Sequence, residues 1–210
     1  MLATNLIHAQ DVRFSLATDF GVQQSFRKEQ KYGAVGHTTH VIFSFTPKGG
    51  VYAWISYYSD GKFHNNVTAA AKSPLTIPQQ INYRNDASMR FKHFSLGYRR
   101  YLKGSFIADS KWNIYSYAGL GVMLGRVINT HTPSIDTSFY SVPVRAGKAN
   151  FKRLTLDVGL GWEVPIGADF FFYTEGRVWI PTTDYPSKYI FVNTNAPMVG
   201  MFQIGLRLLY

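Results

Sequence analysis

Eight charged residues of this chain stand where ion pairs could be buried: Arg13, Asp19, Arg153, Asp157, Glu163, Glu175, Arg177 and Arg207. Each lies on the polar side of a run in which apolar and polar residues alternate. In the run 153–164, Leu154, Leu156, Val158, Leu160, Trp162 and Val164 line one face. Arg153, Thr155, Asp157, Gly159, Gly161 and Glu163 line the other. A helix would scatter such charges round its circumference, whereas a strand, with its period of two, puts them on one face. Four cations and four anions can neutralise one another there in a hydrogen-bonded stack. A second candidate is His93-Phe94-Ser95, a serine two residues from a base. A serine nucleophile also needs a third group to orient its base, and no acidic residue follows at a fitting strand spacing. The face is wrong for a lipid substrate, since Phe94, Leu96 and Tyr98 claim the apolar side. The histidines are scattered, and His37 with His40 is too little for a metal site. The absence of cysteine excludes a thiolate metal site, a cysteine nucleophile and a disulfide scaffold. No catalytic, cofactor or metal-ligating residue is assigned.

The elements that must position these charges are strands. Alternation marks eight runs, at about 12–23, 37–46, 51–60, 88–101, 111–126, 153–164, 170–180 and 199–210, and no convincing helix. The run 51–60 is aromatic on both faces, so its inside is open. Long connectors (25–36, 61–87, 127–150 and 181–198) alternate strictly with short ones at 47–50, 103–104 and 165–169. An up-and-down meander therefore gathers the long loops at one end and the short turns, with both termini, at the other.

The chain has 210 residues, enough for one domain with a sizeable core. It carries 22 Lys+Arg against 12 Asp+Glu, a formal charge of +10, yet only 16% of residues are charged, below the usual share of roughly a quarter. Nucleic acid is a poor partner, because the basic residues form no contiguous run or stacking platform. No stretch of about 20 apolar residues exists to make a transmembrane helix. Alternation fits either a soluble lipocalin-like barrel, which hides its apolar face, or a membrane barrel, which turns it to lipid. Runs of 9–14 residues suit a tilted bilayer crossing. A polar face of glycines with isolated charges suits a narrow interior. Aromatics toward run ends (Phe14, Trp112, Trp162, Phe170, Trp179 and Tyr210) suit interfacial girdles. The reading is all-β, an eight-stranded antiparallel up-and-down transmembrane β-barrel over 12–210, with no open channel at that width. Residues 1–11, ending near Ala9, read as a signal-peptide remnant or a disordered N-terminus.

The carboxyl end adds a specific resemblance. Gly205-Leu-Arg-Leu208-Leu-Tyr210 is similar to the signal, Gly-x-x-apolar-x-aromatic, by which the barrel-assembly machinery recognises outer-membrane proteins. Ile204 stands where a polar residue is usual. With eight strands and four long loops, 12–210 resembles the small OmpA/OmpX-like outer-membrane barrels. Tyr115-Ser-Tyr-Ala-Gly119-Leu-Gly121 and Gln10 after the expected cleavage site are similar to such proteins from Bacteroidota. The resemblance implies a bacterial outer-membrane protein with extracellular long loops, periplasmic termini and a structural, adhesion or protein-interaction role, as an accessory subunit of a larger complex in one version. It implies no cofactor. Loop residues Arg27, Lys28, Lys31, Lys62, Lys72 and Arg84 would meet lipopolysaccharide or a membrane protein partner. His93-x-Ser95 has the spacing of the PagL-like lipid A acyl hydrolases, which is the enzymatic alternative. Leu96 stands where their pattern has Asn. The charges assigned to the interior cancel, so the surplus of +10 falls to loops, turns, rims and unassigned runs, mainly at the two wet ends of the barrel.

Overall fold

Alternating side chains resolve, in a computed structural model that describes residues 13–107, 109, 111–183, 189 and 198–210, into nine strands and one turn of 3-10 helix at Lys28–Gln30. The segment 1–11 lies outside the described residues. The strands are β1 (Arg13–Ser25), β2 (Gly33–Thr46), β3 (Gly49–Ala71), β4 (Gln80–Lys103), β5 (Asn113–Thr132), β6 (Tyr140–Ser141), β7 (Gly147–Pro165), β8 (Phe170–Pro181) and β9 (Val199–Leu209). All but β6 form one antiparallel ring in chain order, closed where β9 pairs with β1. The chain is an eight-stranded up-and-down transmembrane β-barrel. The two-residue turn at Pro47-Lys48 lies at the same end of the barrel as Arg13 and Leu209, its terminal end.

Following outward-facing partners once round the ring shows the stagger. Lys152 faces Leu124, then come Lys92, Tyr57, His37, Phe20, Ile204 and Thr174, and the path returns to β7 at Trp162. The return point lies ten residues along the strand from the start. Such a stagger tilts the strands by about 35–45° to the barrel axis.

The strands are longer than alternation alone suggests: β3 and β4 have 23 and 24 residues. Most of 61–87 is therefore a continued hairpin, with only 72–79 as its turn, and Lys62 and Arg84 stand on strands. Residues 127–150 likewise supply the ends of β5 and β7, and β6 adds to β3 at Ala70 and Ala71. Two causes hid this. A bulge between Tyr58 and Gly61 switches which parity of β3 faces inward. On β4 the polarity itself inverts. Leu96 and Phe94 point outward, but further along Phe91, Met89 and Ala87 are buried while Lys92, Arg90 and Ser88 face out. The same change occurs on β7, from outward Leu154 and Leu156 to buried Phe151 beside outward Lys152. Apolar-out gives way to apolar-in where lipid gives way to water. The hairpins β3–β4 and β5–β7 run past that line as a sheet.

Candidate functional site: the barrel interior and the protruding sheet

Two features can carry function: the packed polar interior and the sheet beyond the lipid belt. Inside, near the terminal end, Glu163 accepts from Arg99 at 2.7 Å, Arg207 at 2.9 Å, the Tyr101 hydroxyl at 2.8 Å and Asn113 at 3.0 Å. Arg207 also donates to Ser15 Oγ at 3.1 Å, tying β9 to β1. The Arg99 guanidinium lies 3.4 Å from the centroid of the Tyr115 ring, and that of Arg207 lies 3.7 Å from that of Phe171.

A second tier joins Glu175 to Arg177, whose Nε also donates to the Tyr117 hydroxyl at 2.7 Å. Tyr115 donates to Glu175 at 2.8 Å. Arg177 stacks 3.9 Å over Trp54. Asp19 accepts from His40 at 2.8 Å and from the Tyr173 hydroxyl at 3.0 Å.

In the third tier Thr155 donates to Asp157 Oδ1 at 2.8 Å, and His93 Nε2 lies 2.9 Å from Thr155 Oγ1 and 3.4 Å from Asp157. Trp54 Nε1–H donates to His93 Nδ1 at 3.2 Å. That donor fixes the His93 proton on Nε2 and fills its only acceptor nitrogen. His93 therefore cannot take a proton from Ser95, whose Oγ donates to the Leu120 carbonyl at 3.3 Å. Gly121 makes the space. A Cβ there would lie 2.6 Å from Asp157 Oδ2 and closer still to His93 Nε2. Gly121→Ala is expected to destabilise the barrel by about 1–3 kcal/mol through overpacking. Urea unfolding in detergent micelles measures the loss, and an unchanged midpoint would mean that the two side chains move aside freely.

Of the eight charges read from the sequence, Asp19, Asp157, Glu163, Glu175, Arg177 and Arg207 stand in these tiers. Arg13 has the inward parity but is exposed at the barrel's terminal end. Arg153 is buried away from Asp157, with Nη1 3.4 Å from the Thr183 carbonyl oxygen. Sequence reasoning missed Arg99, His40 and the Asp157 partner of His93, whose pairing depends on chain segments far apart. Trp179 is not a girdle residue: it is fully buried, stacked on His93 with centroids 3.9 Å apart. Phe14, Trp162, Phe170 and Tyr210 do face outward near the terminal end, Phe14 packing on Phe43 and Tyr210. In β9 Gly205 faces inward, while Leu208 and the terminal Tyr210 lie on the outer wall.

Above these tiers the lumen turns apolar, filled by Tyr32, Phe63, Met89, Phe91, Met123, Phe151 and Met201. The protruding sheet has its own small core of Ala69, Tyr83, Ile135 and Tyr140. Burial pushes the His131 pKa down there, its ring 4.6 Å from that of Tyr83. Lys72 donates to the Thr137 carbonyl at 2.7 Å, and Arg84 pairs with Asp86 at 2.8 Å. Arg27, Lys28 and Lys31 lie exposed between β1 and β2.

No protein-family model matches the sequence, and no curated protein does. Solved structures do share the fold. Neisserial surface protein A aligns with a TM-score of 0.59 at 10% identity, over 93% of this chain and 96% of that one. A major outer membrane protein from Thermus thermophilus aligns at 0.58 and 14% identity, over 95% and 99%. Ail of Yersinia pestis, in complex with the heparin analogue sucrose octasulfate, aligns at 0.52 and 10%, over 95% and 99%. At these identities the likeness is one of fold, that of the small outer-membrane β-barrels.

Proposed function

We propose that this chain is a non-enzymatic bacterial outer-membrane protein whose closed barrel anchors a β-sheet outside the cell, where the sheet serves adhesion or docks a membrane protein partner. The observation that carries this reading is the continuation of β3, β4, β5 and β7 past the polarity inversion into a folded sheet with its own core. Flexible loops would pay more ordering entropy on binding than a preformed sheet does. The filled lumen argues against a channel, and the blocked Nδ1 of His93 argues against an acyl hydrolase. Gly205, Leu208 and Tyr210 are the residues that the barrel-assembly machinery would read. Arg27, Lys28, Lys31, Lys62 and Lys72 lie toward the outer surface in this orientation, facing lipopolysaccharide or the partner.

The chain has no cysteine, so single cysteines report orientation cleanly. Thr76→Cys, in the β3–β4 turn, is expected to react with a membrane-impermeant maleimide on intact cells. Lys48→Cys, in the opposite turn, is expected to react only after permeabilisation. The reverse pattern, or equal labelling of both, would overturn the reading.

A further inference from the structure

Among the described residues, outward-facing lysines and arginines on the strands are confined to one side of the barrel wall. Every strand of the ring exposes outward side chains, yet those of β2, β8 and β9 include no Lys or Arg. On β4, β5 and β7, four cations meet at the polarity inversion: Arg90, Lys92, Arg126 and Lys152, all exposed. Arg90 and Arg126 are direct cross-strand partners. Lys92 and Lys152 flank Leu124 from either side. Like charges directly opposite one another on a sheet repel. Among the described residues no carboxylate pairs with any of the four; Arg126 Nε donates instead to Asn150 Oδ1 at 3.2 Å, which holds its guanidinium along the wall. Between them lies an open groove of about 660 Å³, bordered also by Tyr57.

The wall next to the groove, toward the barrel's terminal end, is wholly apolar: Phe94, Leu96, Val122, Leu154 and Leu156 point outward there. The groove thus presents two surfaces in the order an amphiphile requires, cations at the headgroup level and hydrocarbon beneath. Arginine forks favour phosphate oxygens and bind them in pairs. We propose that Arg90, Lys92, Arg126 and Lys152 form a binding site for the phosphorylated disaccharide headgroup of an outer-leaflet glycolipid of the lipid A type, whose acyl chains lie against Phe94, Val122 and Leu154. The bound phosphates supply the counter-charge that the Arg90–Arg126 pair lacks. This rests on the outer-membrane reading and gives it a specific lipid partner.

The test uses the full chain, folded in detergent micelles and verified by heat-modifiable gel migration, with bisphosphorylated lipid A and its dephosphorylated form as probes. Wild-type protein is expected to bind the phosphorylated form about tenfold more tightly than the dephosphorylated one. Arg90→Gln/Arg126→Gln is expected to lose that preference. Lys48→Gln/Lys111→Gln, which removes equal charge at the other end of the barrel, is expected to keep it. Equal binding of both lipids by the wild type, an unchanged Arg90→Gln/Arg126→Gln variant, or an equal loss in the Lys48→Gln/Lys111→Gln control would overturn the site. Displacement by millimolar inorganic phosphate would also overturn it, making the groove a general anion site. All these arms are independent of the cysteine labelling, so a failed site and a failed orientation give different results.

Discussion

Glu163→Ala is expected to cost the folded barrel about 3–5 kcal/mol, because it strands two buried cations at once. Arg99 and Arg207 both point at Glu163, and they are only 6% and 1% exposed. The other carboxylate of that region, Glu175, is engaged by Arg177 and Tyr115. Alanine would leave two guanidiniums facing each other in a site walled by Phe171 and Tyr115, with no counter-ion and little water. Glu163→Gln keeps acceptor capacity for Tyr101 and Asn113 and is expected to lose less. Equilibrium urea unfolding in micelles, followed by tryptophan fluorescence and by gel migration, measures both variants. A Glu163→Ala barrel as stable as wild type would mean that the terminal end of the lumen is wet.

Arg177→Ala is the companion case with the charge reversed. Glu175 would keep the Tyr115 hydroxyl but lose its cation, and Trp54 would lose the guanidinium stacked on it. A loss of about 3–5 kcal/mol is expected for the single variant. Removing both charges, as Glu175→Gln/Arg177→Met, is expected to recover most of that loss, since a neutral pair of similar volume removes the desolvation cost of buried charge. A double variant as unstable as Arg177→Ala would assign the effect to packing on Trp54 and Tyr117 instead of charge.

The number and order of the membrane-crossing strands were legible because lipid outside and a polar lumen inside hold the alternation in phase for ten residues or more. Their true lengths were not, because the phase depends on the solvent. In 94–98 the apolar residues are even-numbered; in 87–91, on the same strand, Ala87, Met89 and Phe91 are odd-numbered. Read with one phase, the second stretch looks irregular, and it is in fact the same ribbon in water. The undecided run 51–60 has an equally physical cause. Its inward Tyr52, Trp54 and Tyr58 fill the lumen with rings: Tyr52 stacks on Trp54, Trp54 carries the Arg177 guanidinium, and Tyr58 meets Trp179 edge-on. All eight charges have the inward parity, and all but the exposed Arg13 are buried. Their partners could not, since Arg99 meets Glu163, and His93 meets Asp157, only when the sheet curls round. The cations of the outer wall were likewise visible one by one, but not as neighbours, because Arg90, Arg126 and Lys152 come from three different strands.

The tie from Arg207 to Ser15 and Glu163 also bears on how the barrel comes into being. It joins the last strand to the first and to a third, across nearly the whole length of the chain. Local hairpins can form early, but this contact must wait for the most expensive loop closure the molecule has. Until then Arg207 and Glu163 have nowhere dry to meet, and a half-curled sheet in lipid would turn its charged side toward hydrocarbon. Such intermediates are disfavoured at both ends of the process, during assembly and during unfolding. The seam between β1 and β9 should therefore close, and open, as a single cooperative event.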